Sequence, residues 1–295
     1  MVNRVGLALG SGGSRGIAHI SVIEYLDGLG IPVHSIAGSS IGSLIGVLYS
    51  LGKLDEFKAE LMAMRRKDIL ALADMAFIKH GLVKGDKLMR HLERYIPPYL
   101  TFSKLPIPVS IVATDYQTGE EVIFTRGNVL RAIRASISIP TFFVPVSHKK
   151  TFLIDGTLSN PLPIRNTMDL GAQRVIAVNL HPAVNKKYYE GTGTKVRRRQ
   201  KRFTLDLKGP FGKLFRKKEE PYPTIFEVAL QTMDILEHRN TSFHLKTYPP
   251  AVCIEPRLLD INILDFSHPQ AALKEGHQAC LRREKELRQF VKEVS

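Results

Sequence analysis

The chain has 295 residues, 44% of them hydrophobic, enough to build a sizeable core as one large or two small domains. No run approaches the roughly 18 apolar residues that cross a bilayer, and the opening Met1 to Leu9 is too short for a signal-peptide core, which excludes a helical span and predicts no export from this end. The formal charge of +14 is concentrated: Lys186 to Lys218 holds 13 basic residues against Glu190 and Asp206, a net of +11, and the rest of the chain carries only +3.

Val5 to Leu9 reads as a short buried strand, and Gly10-Ser11-Gly12-Gly13-Ser14-Arg15-Gly16 turns it into a helix beginning near Ile17. Exposed amides in such a loop make a nest for anionic oxygen. A dinucleotide fingerprint is the rival reading of Gly10, Gly12 and Gly16, but it needs a ribose-binding acid about twenty residues on, at the end of the second strand. The second strand-like stretch, Val33 to Ala37, has no acid and runs into Gly38-Ser39-Ser40-Ile41-Gly42. This Gly-x-Ser-x-Gly register selects Ser40, on a sharp strand-to-helix turn where the flanking backbones leave no room for a Cβ, hence Gly38 and Gly42. Loop and turn are successive strand-to-helix crossings, so both lie at the carboxyl edge of a parallel sheet and the loop amides can face Ser40 as an oxyanion hole.

Residues 55 to 100 read as amphipathic helix, with Phe57, Leu61 and Met64, then Leu88, Leu92 and Tyr95, at helical spacing; they line either the core or an acyl groove. Arg131 and Arg134 precede the apolar Phe142 to Val146, a helix followed by a turn and a buried strand. Leu153-Ile154-Asp155-Gly156-Thr157 then ends an apolar strand on an aspartate, with a glycine to turn the backbone at once. Asp155 is a candidate general base, since a strand end holds a carboxylate rigidly within reach of a serine hydroxyl. Asn160-Pro161-Leu162-Pro163 stiffens the loop beyond it. His181, after the strand-like Val175 to Leu180, is the other candidate base, in the chain order of an α/β-hydrolase triad.

The sequence resembles the patatin-like phospholipases, the small bacterial members in particular. The likeness rests on the glycine loop with Ala18-His19-Ile20, on Gly38 to Gly42 and on Asp155-Gly156. Gly81-Leu82-Val83-Lys84-Gly85, Ala113-Thr114-Asp115 with Thr118-Gly119-Glu120, and Arg134 to Pro140 add to it. It covers about residues 4 to 182. It implies a Ser40–Asp155 dyad without histidine that hydrolyses acyl esters of phospholipids or lysophospholipids. It also implies an oxyanion hole in the loop Gly12, Gly13, Ser14 and Arg15, where amides around Gly12 and Gly13 hold the oxyanion and Arg15 stabilises the loop. The family usually has Gly or Ala where this chain has Thr157, and often glycine at Ser11. A catalytically weak lipid- or membrane-binding protein is the alternative, with Thr157 compromising the base.

In the basic insert, Arg197, Arg198, Arg199, Arg216, Lys217 and Lys218 frame Phe211 and Phe215, a pattern that fits an anchor for an anionic membrane surface. No nucleic-acid-binding motif accompanies it, so nucleic acid is not expected. Cys253 and Cys280 have neither metal-ligand nor redox spacing and read as reduced packing residues. The expectation is one three-layer α/β/α domain over residues 1–295 with a mainly parallel central sheet. It has a core at about 4–182, the insert at about 183–222, and closing helices with a strand at about 223–295, a tail to which no catalytic part is assigned. No metal or cofactor is expected, and the location is cytoplasmic with peripheral attachment at the inner face of the membrane; oligomeric state and head-group preference are left open.

Overall fold

The structure, a computed structural model, describes residues 3–72, 83–184 and 225–294. Gly81 and Leu82 lie outside the described residues, as do Arg197, Arg198, Arg199, Phe211, Phe215, Arg216, Lys217 and Lys218. The centre is an eight-stranded sheet: β1 (Val5–Leu9), β2 (Val33–Ser39), β3 (Val109–Asp115), β4 (Glu121–Phe124), β5 (Val146–His148), β6 (Thr151–Asp155), β7 (Arg174–Val178) and β8 (Val252–Ile254). Strands β3-β2-β1-β7-β8 run parallel in that order.

All five residues of β1 are buried, as a central parallel strand covered on both faces requires. Its alternation sorts the two layers. Leu7 and Leu9 join a core shared with helices α1 (Ala18–Gly28), α2 (Ile41–Ser50), α3 (Leu54–Ala63), α5 (Asp86–Leu92) and α6 (Val129–Ser136), α4 being Arg66–Leu72. Ala8 faces the other way, toward Ile164 of α7 (Ile164–Asp169) and Leu245 of α8 (Ile225–Thr247). The three-layer α/β/α architecture follows.

The chain closes on two helices, α9 (Pro269–Arg282) and α10 (Glu284–Val294), with Arg283 outside helical geometry between them (φ −110°, ψ 12°). The break lets α10 turn Leu287, Phe290 and Val294 into the core that also holds Val252 and Ile254 of β8. Phe57, Leu61, Leu92 and Tyr95 are buried in that same core, with Met64 and Leu88 packed against it, so these six residues pack the core rather than line a groove; residues 73–82 of the stretch read as helix lie outside the described residues.

One feature of the sheet positions the site. β4 and β6 both pair antiparallel with β3, and β4 occupies one edge of β3 from Ile111 to Thr114. Each residue of a strand has only two edges, so β2, paired as far as Val112, and β6, paired from Ala113, share the other. The carboxyl ends of β2 and β6 therefore meet head to head, Ser39 opposite Val112 and Asp155 opposite Ala113.

Candidate active site

Ser40 follows β2 directly and caps α2 with φ 51° and ψ −124°, a left-handed backbone that a side-chain-bearing residue adopts only under constraint. A Cβ on Gly38 would stand 2.5 Å from the Gly42 carbonyl group, and one on Gly42 2.8 Å from the Gly10 carbonyl oxygen, so no side chain fits on either side of the turn. The Ser40 amide donates to Ser136 Oγ (2.8 Å), and the Ser40 carbonyl accepts from Ser43 Oγ (2.6 Å). The elbow is thus tied down on both sides of the hydroxyl, which sits at the positive end of the α2 dipole.

Across the head-to-head junction, Ser40 Oγ donates to Asp155 Oδ2 at 2.7 Å. The other carboxylate oxygen, Oδ1, accepts from the Thr157 amide (2.9 Å) and the Thr157 hydroxyl (2.6 Å). Asp155 is fully buried, its own amide donates to Ser138 O (3.0 Å), and its carbonyl accepts from Thr114 Oγ1 (2.8 Å). Burial raises its carboxyl from 3.8 to about 6; the bonds from Thr157 and Ser40 pull the other way, and the Glu237 carboxylate adds to the rise.

The glycine loop faces this pair. Gly12 (φ 150°) and Gly13 (φ 56°) both lie in backbone regions that favour glycine. Among the described residues, neither amide meets an acceptor, whereas the Ser14 amide donates to Ile263 O (2.8 Å) and the Arg15 amide to Gly12 O (3.2 Å). Ser14 and Arg15 therefore supply no free backbone donor, which leaves Gly12 and Gly13 as the two of these four loop residues with amides open to an acceptor. The Arg15 side chain, fully buried, points away: Nε donates to Ile261 O (3.0 Å), and Nη1 lies 2.7 Å from His181 Nε2 and 3.6 Å from Asp234 Oδ1.

His181 is held by that same group. Its Nδ1 lies 2.9 Å from Glu237 Oε1 and its Nε2 accepts from Arg15, which requires the tautomer protonated at Nδ1. With both nitrogens engaged, His181 is not a base for Ser40, and the triad order read in the chain does not assemble. His19 is likewise engaged, its Nε2 2.7 Å from Gly10 O, and burial lowers it to about 4. Glu237 also accepts from Ser11 Oγ; burial raises its carboxyl, but the contacts with His181, Ser11 and Arg15 outweigh burial and hold it below the ordinary range.

The cleft over Ser40 has a volume of about 20 Å³, room for a single water. Its walls include Gly12, Gly13, Ser40, Asp155 and Thr157, together with Met233, Asp234 and Glu237 of α8 and Ile263 of the loop before α9. The tail thus closes over the site, because α8 crosses back over the carboxyl edge of the sheet. The sequence reading also missed Ser136. Its only signal was its place in the Arg134 to Pro140 stretch.

A family model described as patatin-like phospholipase matches residues 7–168. The chain belongs to the patatin-like phospholipase family. It is 39% identical to an NTE family protein of Mycobacterium tuberculosis over 178 residues, 60% of this chain and 49% of the relative. It is also 29% identical over 184 residues, 60% of this chain and 13% of the relative, to the neuropathy target esterase of Drosophila melanogaster. The chain spans about half the length of the mycobacterial relative. Among solved structures, VipD from Legionella pneumophila aligns over 97% of this chain and 77% of its own, with 14% identity and a TM-score of 0.40. The patatin-like match spans both Ser40 and Asp155. In this patatin-like domain Thr157 makes two hydrogen bonds to the Asp155 carboxylate, a contact that a Gly or Ala there would reduce to the amide alone.

Proposed function

We propose that the protein hydrolyses acyl esters of lipids, as a phospholipase A or lysophospholipase, through Ser40 and Asp155. The observation that carries this is the 2.7 Å bond from Ser40 Oγ to Asp155 Oδ2 beneath the free amides of Gly12 and Gly13. Oγ attacks the ester carbonyl as its proton passes to Oδ2, and the oxyanion of the tetrahedral intermediate is met by the two amides. Collapse expels the alcohol, which takes the proton from Asp155. Water then attacks the acyl-serine with Asp155 again accepting a proton, and the fatty acid leaves with Ser40 restored.

A carboxylate is a weak base for an alcohol, so placement and oxyanion stabilisation carry most of the acceleration. The raised Asp155 carboxyl narrows the basicity gap while remaining ionised at neutral pH. Thr157 bonds the oxygen that does not face Ser40, which speaks against a blocked base and so against the lipid-binding alternative.

The cleft of about 20 Å³ is too small for an acyl group, so substrate entry needs α8 or the Ile263 loop to shift. α8 carries exposed Ile225, Val228, Ile235 and Leu236, a helix suited to move against lipid, and the +11 insert that ends just before it is proposed to hold the domain at an anionic membrane surface.

The test is release of fatty acid from phospholipid vesicles and of chromophore from a medium-chain ester by wild type, Ser40→Ala and Asp155→Asn. Circular dichroism checks that each is folded. Loss by orders of magnitude in both folded variants supports the dyad. A wild type inert on esters but bound to vesicles moves the reading to a lipid-binding protein.

A further inference from the structure

A second and larger cleft lies away from Ser40, at the other end of α6. Its volume is about 400 Å³, and its walls include Phe124, Arg126, Arg131, Ala132, His148 and Lys149 with no carboxylate among them. The basic groups converge from three parts of the chain: the loop after β4, the first turn of α6 and the end of β5 with its turn into β6. The Arg131 guanidinium donates to Ser147 O (3.1 Å), and among the described residues none of Arg126, Arg131 and Lys149 has an ion-pair partner. Phe124 packs edge-on against the His148 ring, centroids 5.6 Å apart, and fixes it in the wall.

Cations gathered without a counter-charge repel one another. The His148 imidazole registers this: burial first, then Lys149 and Arg131, hold it below its ordinary value, and Asp115, the acid that acts on it, only partly offsets them. An anion in the cleft reverses the balance. Two guanidinium forks match the oxygens of a phosphate group, Lys149 adds a point charge, and the volume leaves room for the body that carries the phosphate.

We propose that this cleft binds a phosphate group, carried by a soluble phosphorylated molecule or by an anionic lipid headgroup, at a site separate from the Ser40 centre. The separation follows from β6. Thr151, paired with His148 of the cleft wall, and Asp155, which accepts from Ser40, are the two ends of that strand, four residues or about 13 Å apart at ~3.3 Å each. The ester and phosphate of a glycerophospholipid are only a few bonds apart, so one lipid molecule does not reach both. The phosphate belongs to a second molecule, whether or not Ser40 turns over an ester.

The experiment is an NMR titration of the His148 ring in the full chain, assigned with His148→Asn, against pyrophosphate and separately against phosphatidic acid in phosphatidylcholine vesicles. Three proteins are compared: wild type, the double variant Arg131→Gln/Lys149→Gln, and Lys274→Gln/Lys285→Gln, which loses the same charge from the exposed faces of α9 and α10 and keeps the basic insert. The expected result is a saturable rise of the His148 pKa in wild type and in the charge control, with affinity weakened about tenfold or more in Arg131→Gln/Lys149→Gln. A response to pyrophosphate alone identifies a soluble ligand, and one to vesicles alone a headgroup; either supports the site. No response of His148 to either probe overturns the proposal, as does an equal loss in both double variants, which places the phosphate elsewhere on the chain.

Discussion

Asp155→Asn is expected to make the protein more stable at neutral pH while removing its ester hydrolysis. Burial raises the folded-state carboxyl from 3.8 to about 6, so between those values the native state holds a proton that the unfolded chain has released. Unfolding stability therefore falls as pH rises through this window: the contribution is fully present below about pH 4 and lost above about pH 6. At 1.36 kcal/mol per pH unit the loss reaches about 3 kcal/mol at pH 7. Asparagine occupies the same volume, its Oδ1 accepts both Thr157 donors and its Nδ2 donates to Ser40 Oγ, so the variant keeps the contacts without the buried charge. Urea unfolding of both proteins from pH 4 to pH 8 measures the difference, expected near zero at pH 4 and up to about 3 kcal/mol in favour of the variant at pH 7. Curves that stay parallel across this range, or a variant less stable than wild type at pH 7, would refute an Asp155 held at a cost in a dry site.

Wild-type hydrolysis should show an acid limb near pH 6, since only the ionised Asp155 accepts the Ser40 proton. Thr157→Val removes the hydroxyl bond to Oδ1 and should move that limb upward by about half to one pH unit, while Thr157→Ser leaves it in place; a pH–rate profile that ignores both changes removes Thr157 from the site. Gly42→Ala puts a Cβ against the Leu9 and Gly10 carbonyl groups, so the start of α2 must shift and carry Ser40 with it. A drop of about 10²-fold in kcat/KM in a folded variant is expected from such a displacement. Ser136→Ala leaves the Ser40 amide without its acceptor and should lower kcat more than KM, because it loosens the elbow without touching the cleft wall.

Short-range chemistry alone made Ser40 legible. The glycines on either side of it, the apolar strand before and the apolar helix after all act within a few residues, and so does the Asp155-Gly156 turn at a strand end. The glycine loop was legible for the same reason, as a nest of amides between strand and helix. Which amides stay free was not, because Ser14 donates to Ile263, some 250 residues further along. Periodicity could mark the strand ending at Asp155 but not its direction. That direction depends on which edge of β3 remains open once β4 has paired, and it is what brings β6 head-on to β2. Distance in sequence likewise hid Glu237 and Asp234, carried over the cleft by a helix of the tail, and left His181 standing as a candidate base, whereas Arg15 and Glu237 occupy both its nitrogens. The chain by itself thus determined the turns that can present a nucleophile and a base. Only tertiary packing, through contacts between residues about a hundred or more positions apart, decided which of those groups touch.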